Sequence, residues 1–482
     1  MTASFIPRDA AGPRERLAGR VVLPGEEEYE AARHVWNASH DYRPALIARP
    51  LSVADVRAAV GFARDRGLPV CVRGGGHNHA GYAVADRALM LDLSALVSVR
   101  VDPARRVATV GGGATWAVVD QATQAEGLAV TGADVSPVGV GGSTLGGGVG
   151  WLHRMLGLSC DNLIAAEIVT ADAQVLSVSA DEHPDLFWAL RGGGGNFGAV
   201  TAFTFALHPV GPVHTGTVIC PVEQAADVLG LYQHLCQSGG DELFVRAMLM
   251  TAPPAPFVPE PLRGRPAVLL SAAWFGLPDR AGSALGELRR FASPGRDLVR
   301  PMPYVELQRM PDPTVPRRVR AVGLGGVTGP FTAEVIDAIT SAAAAPPPMS
   351  MVELAPLGGA VARVPAGATA VRHRDAAHCL AILTMARPED DGTEQAEWAG
   401  KVNGSLPAGT ILGPLVHIMG RDEPEDRVRA AYGDVAYARL AAVKRTYDPG
   451  NMFRFNQNIR PHPVSQPAGR GGDGKDAAAA SA

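Results

Sequence analysis

The chain has 482 residues, a formal net charge of −4 and an isoelectric point near 6.4, and its lysines and arginines never form a long run. That length calls for two domains or one large interleaved pair, and that charge argues against a nucleic-acid or acidic-membrane surface and for a small-molecule partner. The five cysteines, Cys71, Cys160, Cys220, Cys236 and Cys379, are odd in number and lack CxxC spacing, which suggests neither a disulfide framework nor a zinc site and suits a reducing compartment.

Met1 to Arg20 is interrupted by Pro7, Arg8, Asp9, Arg14 and Glu15 and has no apolar core, so no signal peptide is expected. No apolar run reaches membrane-spanning length, and a soluble, cytoplasmic protein is the expectation. Glu26 to Trp36 reads as a helix and Pro44 to Pro50 as a short strand closed by proline. Ser52 is placed to cap a helix over Val53 to Arg66, whose apolar residues recur at helical spacing, with Gly67 just past its end. A strand, Val70 to Arg73, then runs into Gly74-Gly75-Gly76-His77. Two readings of that run stay open. It is either a tight surface turn, or a nest whose main-chain N–H groups close around a bulky anion, with Arg73 as a fixed charge and His77 as a point of attachment. Leu89 to Leu93, Val97 to Val101 and Arg106 to Val110 read as strands, and Thr115 to Glu126 as a helix stopped by Gly127.

The stretch Ser136 to Trp151 is too rich in glycine for a stable helix or a full strand, and reads as a loop that approaches a planar or phosphorylated ligand closely; a flexible linker is the alternative. Ile164 to Thr170 and Val175 to Val178 form a predicted strand pair, and Asp181 to Arg191 a helix. Gly193-Gly194-Gly195-Asn196-Phe197-Gly198 matches GxGxxG in letters, but a helix precedes it and the strand-like Val200 to Leu207 follows, which is the reverse of a Rossmann fingerprint.

After Pro212 the texture changes to alternating strands (Leu243 to Met250, Ala267 to Trp274, Met351 to Leu354, Cys379 to Met385) and helical patterns (Val222 to Cys236, Arg280 to Phe291, Ala333 to Ala344). That suits an antiparallel sheet with helices on one face. Asp426 to Arg445 reads as a helix, Tyr447 to Asn458 as an irregular polar segment, and Pro463 to Ala482 as a disordered tail. The expected fold class is therefore α+β. Its divisions are 1–210 for cofactor binding, 211–437 for substrate, 438–462 returning to the first domain, and 463–482 as tail.

Several glycine loops with one histidine, and almost no clustered acids, favour a large bound cofactor over side-chain hydrolysis. His77 and His79 make an HxH pair without a third ligand nearby, so no metal site is expected. Ser136 lacks a G-x-S-x-G elbow.

Five motifs taken together carry a resemblance: Val72 to Asn78, Val138 to Leu152, Gly157-Leu-Ser-Cys-Asp-Asn-Leu163, Pro184 to Val200, and Tyr447 to Ile459. The chain resembles the berberine-bridge-enzyme-like FAD-linked oxidases over nearly its whole length, and within them a bacterial secondary-metabolism branch that includes a flavin-dependent favorskiiase. The resemblance implies a PCMH-type FAD-binding domain of two α+β parts, closed by the C-terminal segment, and a substrate domain whose sheet covers the flavin. By position, His77 would bond to the flavin 8α carbon. Arg73, Gly74, Gly75, Gly76, Asn78 and Gly81 would wrap the diphosphate, with Gly141, Gly142, Ser143, Gly146 and Gly147 opposite. Asn162 and Val200 would touch the adenosine or ring region, and Asn456 and Gln457 would close over the flavin.

Three departures from the family pattern stand out. Val135 occupies the place of a second, cysteine link, so a single covalent bond to FAD is expected, with Cys160 a small buried residue instead. Val416-His417-Ile418-Met419 replaces the usual Y-x-N base. Met248 stands near the favorskiiase's substrate tyrosine. Glu353 then becomes the first choice of base, followed by His417 and His378. The expected activity is oxidation of a secondary metabolite with molecular oxygen as acceptor; a flavin monooxygenase or cyclase, and a non-catalytic flavin protein, are the alternatives.

Overall fold

The computed structural model describes residue 14, residues 17–291 and residues 299–461; the expected tail therefore lies outside the described residues. The fold is α+β, as the sequence predicts. Its first half carries two larger sheets and a two-stranded pair, Leu128–Ala129 with His208–Pro209. A four-stranded sheet runs in the order Arg20–Val22, Leu46–Arg49, Leu89–Asp92, Val70–Arg73, the last three strands parallel. Beside it a five-stranded antiparallel sheet runs Val99–Asp102, Val107–Gly111, Ala199–Ala206, Leu163–Val169, Val175–Ser179. The helix Val53–Asp65 packs on the first of these. Ser52 and Asp55 form a reciprocal capping box at its start, and Gly67 follows its end with φ +62°.

From Val213 to Gly413 the chain builds one eight-stranded antiparallel sheet: Arg300–Met302, Val213–Pro221, Pro266–Trp274, Leu243–Thr251, Ser350–Pro356, His378–Ala386, Arg320–Thr328, Ile411–Gly413. Period-2 alternation decides what each strand offers to its two faces. Val245, Ala247, Leu249, Val352, Leu354, Leu380 and Ile382 pack with the helices Ala225–Ser238, Ala333–Ala342 and Thr393–Ser405 in one apolar core. Each large side chain buried there contributes about 1.5–3 kcal/mol. The residues between them, Arg246, Met248, Met250, Met351 and Glu353, point to the opposite face.

Three local expectations are corrected. The predicted helix over Glu26 to Trp36 is confined to Tyr29–Arg33, because His34 turns extended and Trp36 is drawn into backbone hydrogen bonds with Gly76 and Val319. Within the glycine stretch, Val140–Leu145 is a short helix. Ser143 steadies it by donating to the Gly139 carbonyl at 3.0 Å and accepting from Trp116 Nε1 at 2.8 Å. The long C-terminal helix is two, Glu425–Tyr432 and Asp434–Tyr447, broken at Gly433 with φ +77°.

The chain then returns to the first half through Lys444, which is fully buried. Its ammonium donates to Asp448 at 2.6 Å and to the carbonyls of Asn196 (2.6 Å) and Phe453 (3.0 Å). Lys444→Met is expected to destabilise the protein by about 3–5 kcal/mol, since Asp448 is left as a buried, unpaired carboxylate. Urea unfolding measures this, and a shift under about 1 kcal/mol would show that the pair is not holding the segment.

Candidate active site

A cavity of about 880 Å³ lies between the glycine loops of the first half and the helix-free face of the large sheet. One wall is backbone. Gly74, Gly75, Gly76, His77 and Asn78 line it beside Gly141, Gly142, Ser143 and Gly146, and Val200, Asn456 and Gln457 line it as well. The two glycine loops touch behind the wall, where a Cβ on Gly75 would sit 2.4 Å from Gly139 N, so only glycine permits that approach. Val135 lines the cavity as well.

Four expected contacts are not found there. Arg73 turns its guanidinium away: Nε donates to Asp92 at 3.0 Å, its Nη2 pairs with the same carboxylate, and Nη1 donates to Ala32 and His34 carbonyls at 2.7 and 3.1 Å. A buried carboxylate holds that cation more strongly than an open nest could. Gly81 packs behind the wall against His40, which a Cβ there would meet at 2.3 Å. Gly147 faces Val371 and Leu158 rather than the cavity. Asn162 donates to Leu156 and Leu158 carbonyls at 3.0 and 2.9 Å and accepts from His208 at 2.7 Å, so it braces a turn. Cys160 is buried beside Leu158 and Val361, outside the cavity lining, and burial pushes its thiol pKa up. Among the described residues lining the cavity, the only arginine or lysine side chains are Arg246 and Arg300. The glycine wall thus offers N–H groups and no fixed cation.

His77 stacks on Trp36 with ring centroids 4.9 Å apart and planes 18° from parallel. Burial lowers its pKa to about 4, the more distant Asp312 working weakly the other way, so the ring is neutral near pH 7. A neutral imidazole has a lone pair to offer.

The sheet supplies the charged groups. Arg246, 4 % exposed, is held between Asp134 at 2.7 Å and Glu353 at 3.5 Å, over the Trp151 ring at 4.5 Å. Glu353 lines the cavity, and burial raises its carboxyl pKa; Arg246 opposes that rise and Asp134 adds to it. His417 also lines the cavity, on a 3-10 turn rather than a strand, with its pKa lowered by burial. His378 does not line it. It shares the helix-facing side with Leu380, is stacked on Phe331 at 4.4 Å and is bonded to the Tyr232 hydroxyl at 3.0 Å, so it is a core histidine and not a base.

Sequence reasoning missed Trp36, Asp134, Trp151 and Arg246. Arg246 had a visible signal, since a lone arginine interrupts the otherwise apolar Leu243 to Met250. The other three had none that spacing could carry. No helix among the described residues is long and apolar enough to cross a membrane.

Residues 44–179 match the family model described as FAD binding domain, and residues 408–460 the one described as berberine and berberine like. The (R)-6-hydroxynicotine oxidase of Paenarthrobacter nicotinovorans is 31% identical over 466 residues, covering 92% of this chain and 97% of that one. The solved 6-hydroxy-D-nicotine oxidase of Arthrobacter nicotinovorans superposes with a TM-score of 0.81 at 30% identity, covering 92% of this chain and 98% of the other. Acremonium strictum glucooligosaccharide oxidase, with its 6-S-cysteinyl, 8α-N1-histidyl FAD, shares the fold at a TM-score of 0.79 and 24% identity, over 94% of this chain and 100% of the other. Fold and matched segments define an FAD-linked oxidoreductase with a PCMH-type flavin domain. Within that class the chain belongs to the berberine-bridge-enzyme-like family, and it is an enzyme.

The residues present fit the cofactor. Asn78 Oδ1 and Asn456 Oδ1 are buried without a hydrogen-bond partner, and both residues line the cavity beside the glycine wall.

Proposed function

We propose that the protein oxidises an apolar small molecule of secondary metabolism, using FAD attached through His77 alone and molecular oxygen as the final acceptor. The observation that carries this reading is that His77, the glycine wall and Glu353 line one cavity. Residues 1–210 and 438–462 would hold the cofactor and 211–437 the substrate. Gly74 to Asn78 and Gly141 to Gly146 would meet the diphosphate with backbone N–H groups, while Asn78, Asn456 and Gln457 would hydrogen-bond the cofactor's polar edges. Bound FAD supplies a two-electron acceptor for a hydride from the substrate. Glu353 takes the proton that leaves the substrate with that hydride, and Arg246 holds the carboxylate in place.

The face of the sheet that lines the cavity supports this choice of substrate class. Met248 pairs with Leu269 on one side and Glu353 on the other, and the next rung reads Ala267, Met250, Met351, Leu383. Glu353 is the only polar side chain on those two rungs, and the neighbouring rung Thr217, Ser271, Arg246 gathers the sheet's other polar groups toward one end of the floor rather than along it. An apolar body with one reactive C–H suits this floor.

Anaerobic mixing of the holoprotein with a panel of apolar alcohols and amines, and with maltose and cellobiose, tests the proposal. Bleaching of the flavin by a member of the apolar set, then reoxidation by air with hydrogen peroxide formed and a product lighter by two hydrogens, is expected. Bleaching by the sugars alone, or a product heavier by one oxygen, contradicts it.

A further inference from the structure

We infer that Trp36 is a positioning residue for cofactor attachment: it sets the plane of the His77 ring, and Asn37 locks that arrangement to the large sheet. The inference rests on the reading of His77 as the attachment point.

Neither ring nitrogen of His77 has a hydrogen-bond partner among the described residues. A histidine that must attack in one direction is ordinarily oriented by a hydrogen bond to its other nitrogen; here the near-parallel indole at 4.9 Å is what restricts rotation about χ2. Trp36 is itself over-determined. Its N–H donates to the Gly76 carbonyl at 3.1 Å, directly before His77, and its carbonyl accepts from Val319 N at 3.1 Å. Nε1 donates to the Pro316 carbonyl at 2.9 Å. Asn37, fully buried, donates from Nδ2 to the carbonyls of His79 at 2.7 Å and Ala321 at 2.9 Å, and its Oδ1 accepts from Ala321 N at 3.0 Å. Two consecutive residues, Trp36 through its backbone N–H and Asn37 through its side chain, therefore clamp both ends of the Gly76 to His79 segment. They fix it to the strand Arg320–Thr328 of the large sheet.

A helix continued through Trp36 could not make these bonds. The break after Arg33 is the local cost of the clamp.

Attachment joins an imidazole nitrogen to the 8α carbon. The new N–C bond replaces one N–H and one C–H; both hydrogens and the electron pair pass to O2, which leaves as hydrogen peroxide, and the flavin ends oxidised. Rate depends on the lone pair meeting that carbon along one line, and a ring free to turn meets it rarely.

The test compares Trp36→Leu, which keeps an apolar side chain among Val319, Ala321 and Met385, with Trp36→Phe, which keeps a ring to stack on. Total FAD is read from visible absorbance of the purified protein, and covalent FAD from what stays in the acid precipitate. Trp36→Leu is expected to bind FAD but to lower the initial rate of covalent incorporation by roughly ten-fold or more, with Trp36→Phe near the original protein. Equal rates in the two variants overturn the inference, as does loss of all FAD from both, which would make Trp36 a general structural residue. His77→Ala is run alongside: acid-stable flavin surviving in that variant defeats the reading of His77 itself, whatever the Trp36 variants do.

Discussion

Glu353→Gln is expected to slow flavin reduction by about 10²–10⁴-fold while leaving cofactor content and fold unchanged. Glutamine keeps the size and hydrogen-bonding reach of the side chain and removes only its basicity. The carboxylate lies 3.5 Å from the Arg246 guanidinium on the strand beside it and shares that cation with Asp134. Burial raises the Glu353 pKa, so the proton-accepting form is lost at a higher pH than for an ordinary glutamate. Reduction should therefore fall as pH drops through that raised value, and the fall should be absent in Glu353→Gln. Arg246→Met removes the cation that opposes the rise and leaves Asp134 and Glu353 facing each other, which should move the acid limb further alkaline. Stopped-flow reduction across pH measures both. An unchanged rate in Glu353→Gln would pass the role to His417, the other titratable group of the expected set that lines the cavity.

His77→Ala is expected to convert acid-stable flavin wholly to acid-extractable flavin. The variant should still bind FAD, because the glycine wall, Asn78, Asn456 and Gln457 are untouched. Loss of the covalent bond also lowers the tendency of the flavin to accept electrons, so substrate reduction should slow and the reduction potential fall. Anaerobic titration with dithionite and a reference dye reads that potential. A potential equal to that of the original protein would mean that the bond serves retention only.

The parts of the site that the sequence exposed are those in which composition and geometry are the same thing. Three consecutive glycines left only a tight surface turn or a close backbone approach, and His77 directly after them stands at the edge of either. Asn456 and Gln457 were placed by the resemblance of Tyr447 to Ile459 to the family motif, not by composition. Side-chain direction was another matter. Arg73 sits beside the nest in the chain, yet its partner Asp92 lies on the neighbouring strand, and a buried carboxylate outbid the open wall. His378 and Cys379 are adjacent, and a short apolar strand does not say which of the two faces the cavity; the register of Leu380 and Ile382 with the helix core decides it. Val140–Leu145 is helical despite its glycines because Trp116 and Gly139 hold Ser143, contacts that local propensity ignores. Trp36 reads in the sequence as the end of a helix and is instead held by tertiary bonds to Gly76, Pro316 and Val319.

The most direct measurement is peptide mapping of the purified, yellow protein. After proteolysis under acid-stable conditions, the peptide containing His77 is predicted to carry the mass of FAD less two hydrogens, with fragmentation placing it on that histidine, and peptides containing Cys160 or Val135 are predicted to be unmodified. An unmodified His77 peptide, or the same adduct on any other residue, would contradict the account.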